Sequence, residues 1–452
     1  MTEIACAVAD APRRYALAEL LRGLGLAPVW VPAAVAALYA GPDPDAAPAT
    51  ALRFRTSART DSLPDASTLG HLVHDGRETP LPVGPTGAPD ASPHGVVEAD
   101  VLGSAFWWIA GVQESATVAR DAHGRFRHAD SLQHALALGA RAPVDEMRAW
   151  LGAALRALGH DVPGRTWAGP GGPDGTRAPW AVALSHDLDA VRTPRLRAAV
   201  ADLLRGRPRR ALTRGLGPDA RRASLDALVA LARRHGARST LFVKTVGPGS
   251  PEDVPYRLAP ALGQHLRGLA ADGFEVGLHP GYATHDHADR LAAERDRLAH
   301  VLGAAPRSVR SHFLRWHAPT TPRLYGAAGF ARDSTLGWSD AAGFRRGTAH
   351  PFRLWDAGQP SDLWEWPLAA MDTALFTHLG LSDDAAAECL AAVFAEARRG
   401  GGVAVVLWHP AMDEDPAWTR RLAVLDAALA QARADGAAVG SLASLAGRWG
   451  AG

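Results

Sequence analysis

The stretch WAVALSHDLDAV (residues 180–191) begins as an apolar run and ends with three ionisable side chains. Its first five residues are apolar throughout, which is typical of a strand that is covered on both faces. His186, Asp187 and Asp189 follow where such a strand should end. Because Asp187 and Asp189 are two residues apart, extended backbone places both side chains on one face. The stretch therefore predicts a buried strand whose carboxyl end carries either a stabilised turn or a metal ion with a water molecule.

Seven further apolar runs follow this strand, separated by segments in which apolar residues have helical spacing. Apolar strands that alternate with helices are typical of a parallel sheet with helices on both faces. Seven or eight such units in about 270 residues predict an α/β fold, a distorted (β/α) barrel of seven or eight strands. The seven runs are STLFVKTV (239–246), FEVGLHP (274–280), SVRSHFL (308–314), FARDSTLG (330–337), LWEWPLA (363–369), VAVVLWHP (403–410) and AAVGSLASLA (437–446).

The chain before this barrel predicts a smaller α/β domain. The apolar run IACAVAD is followed by a helical pattern that ends at Gly23 or Gly25, and two more helical patterns close the domain. The Pro-rich region of residues 41–95 predicts long loops with little regular structure. The 452 residues thus divide into an N-terminal α/β domain of unknown role (1–160), a linker rich in Gly and Pro (161–179) and the barrel (180–452).

The charge balance and the cysteine content restrict the classes of function. Lys and Arg number 48 and Asp and Glu 47, so no overall field attracts nucleic acid, and no nucleic-acid polymer is expected as a partner. Cys6 and Cys389 are the two cysteines, and we expect buried thiols in a reducing compartment. The N-terminus lacks the pattern of a secretory leader, and no apolar stretch is long enough to span a bilayer. We therefore expect a cytoplasmic protein without a transmembrane segment.

Polar side chains recur at the predicted carboxyl ends of the barrel strands. A parallel barrel brings these ends to one rim, so residues that are far apart in sequence should meet there. Each residue also has a structural explanation, because aspartates can cap the next helix and a histidine at a strand end can be a core or turn residue. The recurrence at one end of the strands favours a functional site. The residues are His186, Asp187, Asp189, His279, Arg310, His312, Asp333 and His409.

Five short motifs from residue 180 onward resemble those of the polysaccharide deacetylases, the fourth family of carbohydrate esterases, which have a NodB-homology-like catalytic domain. The motifs are SHDLD, GLHP, RSHF, DSTLGW and LWHP, in the order of the family. No single motif is specific, but the ensemble is, and it extends over some 60% of the chain. The resemblance implies a metal-dependent deacetylase that hydrolyses an N-acetyl group on a sugar.

The resemblance also implies a role for individual residues of these motifs. Asp187 would be the catalytic base, and Arg310 would orient it. His409 would be the general acid that protonates the departing nitrogen. Asp189 and His279 would bind the metal ion, so the base, the acid and two ligands all match positions of the family pattern.

One metal ligand of the family pattern is absent from this sequence. The family usually has a second histidine four residues after the first, and here that position is Ala283. His312 is the preferred substitute because a strand end is rigid, and His285, in a loop, is the alternative. A shell of one carboxylate and two imidazoles suits Zn²⁺, with Co²⁺, Mn²⁺ and Fe²⁺ as alternatives. If neither histidine binds, the chain fits a non-catalytic glycan-binding or scaffold protein with a degenerate metal site.

An N-acetylated carbohydrate is the expected substrate. The same attack by water also serves a related C–N hydrolase or an O-acetyl esterase, so both reactions are open alternatives. Tryptophans are dense in the barrel, where some could stack on sugar rings, although core packing also explains them. The expected substrate contacts are Trp408, Phe313, Asp333 and Arg345, with Asp372 as a further candidate.

Residues 192–222 hold ten arginines and two aspartates. A solvated helical face is the ordinary explanation of such a segment. Guanidinium groups also suit phosphate, so the segment could contact a nucleotide- or lipid-linked sugar carrier, or the surface of a membrane.

The N-terminal domain contains three segments that resemble an uncharacterised domain found before deacetylase-like modules. They are DVLGSAFWWIAGVQES, RDAHGRF and PVDEMRAWL. This resemblance implies no chemistry, and a scaffold, a glycan contact and a dimer interface all remain open as its role.

Overall fold

The structure is a computed structural model that describes residues 1–56, 64, 69–83, 96–97, 99–167, 177–189, 195–209, 211–212, 220–245, 258, 260–318, 320–411 and 416–449. Parts of the predicted linker (161–179) and of the arginine-rich segment (192–222) lie outside these residues. The described chain forms two α/β units, each built on its own sheet. None of its helices is both long and apolar enough to cross a lipid bilayer.

The N-terminal unit contains strands β1 (Thr2–Val8), β2 (Leu26–Trp30), β3 (Leu38–Gly41), β4 (Leu52–Arg55), β5 (Gly70–His74), β6 (Arg77–Leu81) and β7 (Val96–Val97). Five of them form a parallel sheet in the order β2-β1-β3-β4-β7, and β5 and β6 form an antiparallel hairpin. The helices of this unit are α1 (Ala11–Gly23), α2 (Val101–Ala110), α3 (Val112–Ala116), α4 (Leu132–Ala135) and α5 (Pro143–Ala157). An α/β N-terminal domain was predicted, and the unit has this class.

The Pro-rich region of residues 41–95 contains more regular structure than expected. Strands β4, β5 and β6 lie within it. Asp75 and Gly76 join β5 to β6, and both have positive φ angles, 47° and 71°, as a type I′ turn requires. An Asp-Gly pair between two strands is a strong hairpin signal. The expectation of long loops is therefore wrong in the part of this region that the structure describes.

The C-terminal unit contains strands β8 (Ala181–Leu188), β9 (Thr240–Val243), β10 (Glu275–Leu278), β11 (Ser308–Val309), β12 (Arg332–Asp333), β13 (Phe352–Asp356), β14 (Gln359–Glu365), β15 (Leu368–Met371), β16 (Val403–Leu407) and β17 (Ala438–Gly440). They form one curled sheet in the order β13-β14-β12-β11-β10-β9-β8-β16-β15, with β17 beside β8. All neighbours are parallel except β13 and β14. The α/β class and the distorted (β/α) barrel are thus confirmed.

This unit has two more strands than the eight predicted runs, because β13 lies in none of these runs and one run forms two strands. LWEWPLA (363–369) was expected to be a single strand, but β14 ends at Glu365 and β15 begins at Leu368. Pro367 lies between them and has no N–H for the ladder, so the strand cannot continue through it. The other seven runs, including the opening stretch, each coincide with one strand, β8 to β12, β16 and β17.

Helices pack on the curled sheet and connect its strands. Ser382 caps the helix Asp383–Gly400 between β15 and β16, since its side chain accepts a hydrogen bond from the N–H of Ala385, and Gly401 ends this helix with a φ of 68°. The helices are α6 (Arg195–Leu204), α7 (Ala220–Arg234), α8 (Pro260–Ala271), α9 (Ala288–Leu302), α10 (Thr321–Ala327), α11 (Asp383–Gly400), α12 (Pro416–Ala434) and α13 (Leu442–Trp449), with a π-helix over Ala374–His378. Short 3₁₀ turns cover Ala33–Val35, Pro44–Ala46, His128–Asp130 and His312–Leu314.

The two units share one hydrophobic core. Phe106 of α2 packs edge to face on Trp355 of β13, with the ring centroids 5.3 Å apart. Glu114 of α3 accepts hydrogen bonds from Arg345 at 2.7 and 2.9 Å, and both side chains are buried. One cluster of buried apolar residues includes members of both units. The two sheets, which residues 161–179 separate in the sequence, therefore pack on one continuous hydrophobic core.

Candidate active site

The carboxyl ends of β8, β10, β11 and β16 lie around a cavity of about 250 Å³. Asp187 lies near the end of β8, and Asp189 follows that strand. His279 follows β10, His312 lies just beyond β11, and His409 follows β16. All five side chains line the cavity. The structure thus brings together five residues that the sequence placed at strand ends.

Asp189, His279 and His312 form a cluster that can hold a metal ion. Oδ1 of Asp189 lies 3.2 Å from Nε2 of His279 and 3.2 Å from Nε2 of His312, and the three ligand atoms are within 4.8 Å of one another. A tetrahedral ion with bonds of about 2.0–2.2 Å separates neighbouring ligand atoms by roughly 3.3–3.6 Å. Burial would raise the pKa of Asp189, but hydrogen bonds from the two imidazoles lower this pKa well below its ordinary value. The spacing and the charge therefore fit a small divalent cation.

The surroundings of His279 fit a metal ligand. Its Nδ1 lies 2.7 Å from the backbone carbonyl oxygen of Arg310, which only accepts, so Nδ1 carries the proton. Nε2 therefore faces the Asp189 carboxylate, and a cation between the two would replace the proton that Nε2 donates to this carboxylate in its absence. A backbone carbonyl that fixes the tautomer is a usual partner of a metal-binding histidine.

His312, and not His285, is the third member of the cluster. Nδ1 of His285 lies 3.6 Å from Oδ1 of Asp286, and burial, with Arg315, lowers the pKa of His285 to about 4. His312 has one unusual neighbour, since its Nδ1 lies 3.5 Å from the ammonium of buried Lys244. A lysine ammonium only donates. If Nε2 of His312 binds an ion, the ring proton is on Nδ1, which then cannot accept a hydrogen bond. Lys244 must in that case direct its N–H bonds to other groups.

Asp187 is held by Arg310, which is fully buried in a hydrogen-bond network. Nη1 of Arg310 donates to Oδ1 of Asp187 at 3.0 Å and to the hydroxyl of Ser185 at 2.9 Å. Nε and Nη2 donate to the carbonyl and hydroxyl oxygens of Ser334, both at 2.8 Å. Oδ2 of Asp187 lies 3.8 Å from Nε2 of His279. One carboxylate oxygen is thus fixed by the arginine, and the other faces the metal cluster.

His409 is held by Asp372, the residue after β15. Oδ1 of Asp372 lies 2.6 Å from Nδ1 of His409, and Oδ2 accepts from its backbone N–H at 2.9 Å. Burial would lower the pKa of His409, but Asp372, with smaller contributions from Asp189 and Asp187, raises it to about 10. The ring is therefore cationic at neutral pH, with Nε2 3.9 Å from Oδ2 of Asp189. Asp372, a candidate substrate contact from sequence, is instead the partner of His409.

Asp333 was expected to contact the substrate, and the structure corrects this. It is fully buried and lies opposite Glu365 in the ladder between β12 and β14. Its Oδ1 accepts from Thr335 and Oε1 of Glu365 from the N–H of Leu336, and the two carboxyl groups share a hydrogen bond with each other. Burial raises the pKa of Asp333 to about 6 and that of Glu365 well above its ordinary value. The strands pair these two acids in the interior, where they retain a proton.

Two more expected substrate contacts lie away from the cavity. Trp408 is fully buried in the core against Phe376, with ring centroids 5.8 Å apart, because neighbouring residues of an extended chain face opposite sides and His409 takes the cavity side. Arg345 is buried in its ion pair with Glu114 and ties the two units together. Phe313, by contrast, lines the cavity as expected.

The cavity also contains residues that the sequence did not indicate. His123 and Arg125 of the N-terminal unit form part of its wall, as do Thr377 and His378 of the π-helix. The segment RDAHGRF (120–126) is polar and contains a glycine, which is typical of a surface turn. No local signal connects it with the barrel. π-Helices occur frequently at functional sites, but their sequences resemble those of ordinary helices.

Comparison with known proteins gives matches for both units. Residues 57–160 match a family of unknown function, DUF7033. The prediction of an uncharacterised N-terminal domain is thereby confirmed. A sequence search of curated proteins gives no match.

The solved structures that match the C-terminal part include several described as polysaccharide deacetylases or members of carbohydrate esterase family 4, and one described as an allantoinase. A protein from Mycobacterium smegmatis described as a polysaccharide deacetylase is 24% identical with a TM-score of 0.43, over 63% of this chain and 95% of that one. A family 4 carbohydrate esterase from Streptomyces lividans is 17% identical (TM-score 0.31, 60% and 97%). A CE4 family pseudoenzyme from Bacillus anthracis is 11% identical (TM-score 0.32, 59% and 64%). Fold alone does not decide activity here.

Proposed function

We propose that this protein is a metal-dependent hydrolase that removes the acetyl group from the nitrogen of an N-acetylated sugar. One observation carries this proposal: Asp187 fixed by Arg310, the cluster around Asp189 and His409 held by Asp372 line the same cavity. Amide hydrolysis needs a base for the attacking water, stabilisation of charge on the carbonyl oxygen and an acid for the departing nitrogen. The cavity offers a group for each task.

The metal cluster and Asp187 serve the attack on the acyl carbon. A divalent ion bound by Asp189, His279 and His312 supplies a Lewis acid that polarises a carbonyl and acidifies water. Asp187 accepts the proton of the attacking water through the carboxylate oxygen that faces the cluster. Arg310 keeps that carboxylate in place through its bond to the other oxygen.

His409 serves the departure of the nitrogen. Asp372 holds its Nδ1 and keeps the ring cationic, so Nε2 carries a proton that can pass to the leaving amine. Because Asp372 also accepts from the backbone N–H of His409, its carboxylate is held in place, and the ring cannot turn away from the cavity without losing its bond to that carboxylate. The Phe313 ring in the cavity wall offers an apolar surface to a sugar face.

Acetate release and metal content test the proposal together. The metal-free protein is reconstituted with Zn²⁺, Co²⁺, Mn²⁺ or Fe²⁺ and assayed on a panel of N-acetylated sugars and on O-acetyl esters of the same sugars. We expect activity with Zn²⁺, which suits one carboxylate and two imidazoles. Activity on the esters alone would replace the amide reaction by an esterase, and removal of the ion with a chelator should abolish turnover reversibly.

Two substitutions separate the role of the base from that of the ligand. Asp187→Asn should retain about one metal ion per chain and lose turnover, because it removes the proton acceptor but no ligand. Asp189→Ala should lose the ion as well as turnover. Asp286→Asn, a nearby carboxylate outside the cluster, is the control. Elemental analysis and acetate release measure both properties, and a metal-free Asp187→Asn protein would contradict the division of roles.

Binding without hydrolysis is a second candidate function. The observation that favours it is the position of the Lys244 ammonium beside Nδ1 of His312. If Nε2 of His312 bound an ion, Nδ1 would carry a proton, and this proton would face the ammonium. In this case calorimetry would show that the same sugars bind to the protein, and no acetate would be released whichever metal ion is added.

We also propose a cytoplasmic location and a contact between the arginine-rich segment 192–222 and a carrier that bears phosphate, either a lipid-linked sugar or a membrane surface. In the described part of this segment Leu203 and Leu204 are 57% and 84% exposed, close to the exposed Arg205 and Arg207. Apolar and cationic groups together suit an anionic lipid surface. Flotation with vesicles of anionic lipid at low and high salt tests this, and binding that ignores salt or lipid charge would contradict it.

A further inference from the structure

We infer that the 121–125 turn of the N-terminal unit is a working part of the candidate active site, because it positions the turn that carries His312 and forms one wall of the cavity. This inference rests on the proposed metal centre for its importance in catalysis. The geometry that carries it is the set of contacts between this turn and residues 313–315.

The 121–125 turn has a shape that it maintains by itself. The Asp121 carboxylate accepts hydrogen bonds from the backbone N–H groups of His123 and Arg125 at 2.8 and 2.9 Å, and from Nε of Arg125 at 2.7 Å. The N–H of Asp121 donates to the carbonyl of Arg125 at 3.0 Å. Gly124 has a φ of 77°, in the left-handed region that favours glycine. The turn therefore presents His123 and Arg125 in a fixed arrangement.

Two hydrogen bonds and one ring contact join this turn to residues 313–315. Nη1 of Arg125 donates to the carbonyl of Phe313 at 3.2 Å, and Nε of Arg315 donates to the carbonyl of His123 at 3.0 Å. The rings of His123 and Phe313 lie 4.6 Å apart between centroids. Each segment thus donates from an arginine side chain to a backbone carbonyl of the other, so the backbones of both segments are held.

The segment that is held in this way has an unfavourable backbone. Phe313 and Leu314 both have positive φ angles, 59° and 54°. Residues with a side chain avoid this region, and such conformations persist where neighbouring groups hold them, often at functional sites. His312 is the residue just before this pair. The direction of its ring towards Asp189 therefore depends on the backbone that Arg125 and Arg315 hold.

The same turn reaches the loop that follows His279. Nδ1 of His123 lies 3.1 Å from the hydroxyl of Tyr282, and Nη1 of Arg315 donates to the carbonyl of Tyr282 at 2.7 Å. His123 and Arg125 also line the cavity itself. The 121–125 turn is thus connected to the segments of two members of the metal cluster, which makes it a positioning element and not only a surface loop.

Substitution of Arg125 tests the inference in the full-length chain. We expect Arg125→Ala to weaken Zn²⁺ binding by about 10- to 100-fold, the usual effect of removing a group that supports a ligand, and to change the visible spectrum of the Co²⁺ form. Arg125→Lys, which retains the charge, should recover part of the affinity. Arg127→Ala is the matched control, since Arg127 is half-exposed, pairs with Asp130 and does not line the cavity.

Amide hydrogen exchange provides a measurement that needs neither metal nor turnover. Exchange in the peptide that covers residues 311–316 should rise in Arg125→Ala and His123→Ala and stay unchanged in Arg127→Ala. If Arg125→Ala does not fold, His123→Ala, which keeps the Asp121 ion pair, gives the same test. Unchanged exchange together with unchanged ion affinity would overturn the inference. Faster exchange in a chain that releases no acetate would instead retain the positioning role and reject the proposed function.

Discussion

Replacement of Asp372 by asparagine isolates the electrostatic part of the proposed mechanism. Asparagine has nearly the same shape as aspartate, so its oxygen can still accept from the backbone N–H of His409, but its NH₂ group then faces Nδ1 and can only donate to it. It removes the negative charge that, with its hydrogen bond, opposes the effect of burial on the pKa of His409. The ring should then lose its proton within the pH range in which hydrolysis is measured.

The size of the effect follows from the pKa of His409. Asp372 and, to a smaller extent, Asp189 and Asp187 raise it from 6.5 to about 10 despite burial. Without Asp372 we expect a pKa no higher than the ordinary 6.5, a fall of about three pH units or more. At pH 8 roughly 3% of the rings would then be protonated, and kcat/KM should fall about 30-fold from this cause alone. A ring with a pKa of 6.5 is mostly protonated near pH 6, so the loss there should be smaller than at pH 8.

A pH profile of acetate release distinguishes this reasoning from a loss of structure. The alkaline limb of kcat/KM should move to lower pH in Asp372→Asn and stay in place in Asp296→Asn, a mostly exposed carboxylate on α9. An equal loss at all pH values would show that Asp372 acts only by holding the ring. An unchanged profile would refute the role of His409 as the acid.

Two other substitutions test the buried polar groups of the barrel. Arg310→Ala leaves the Asp187 carboxylate buried without its partner, so denaturant unfolding should show that the free energy of unfolding falls by about 3–5 kcal/mol. Arg323→Ala removes an exposed ion pair and should lower it by about 1 kcal/mol or less. Equal losses in the two variants would contradict this reasoning. The raised pKa values of Asp333 and Glu365 mean that the stability these acids contribute is present below about pH 4 and is lost as the pH rises, through about 6 for Asp333 and at higher pH for Glu365. Glu365→Gln should therefore be more stable than the wild type at pH 8, by about 1 kcal/mol or more, and about as stable as the wild type near pH 4. A variant that is less stable than the wild type at pH 8 would contradict a proton shared by the two acids.

The features that the sequence predicted are those that a local pattern encodes. An apolar run followed at once by Asp187 and Asp189 marks both a buried strand and its polar end, and the same pattern recurs before His279 and His409. Parallel topology then requires these ends to lie at one edge. The local pattern and the topology select Asp189 and His279, whereas His312 was considered only because the resembling family has a histidine where this chain has Ala283.

The features that the sequence missed depend on contacts between distant residues. Trp408 and Asp333 stand next to strand ends in the sequence, but the alternation of side chains across an extended chain directs them into the interior. Arg125 and Phe313 are 188 positions apart, and nothing in either segment indicates the other. Arg345 is conspicuous in sequence as a cation near the site, yet its partner is an acid of the N-terminal unit.

The ligands of the cluster differ in how they are held, and this difference explains why one was harder to predict. His279 follows a regular strand, and its Nδ1 is fixed by a backbone carbonyl of the neighbouring segment. His312 precedes two left-handed residues, and segments from the other unit hold that turn. A strand end is specified by its own sequence, whereas a strained turn is specified by whatever packs against it. The N-terminal unit therefore contributes to the site through the one ligand whose position the barrel sequence does not determine.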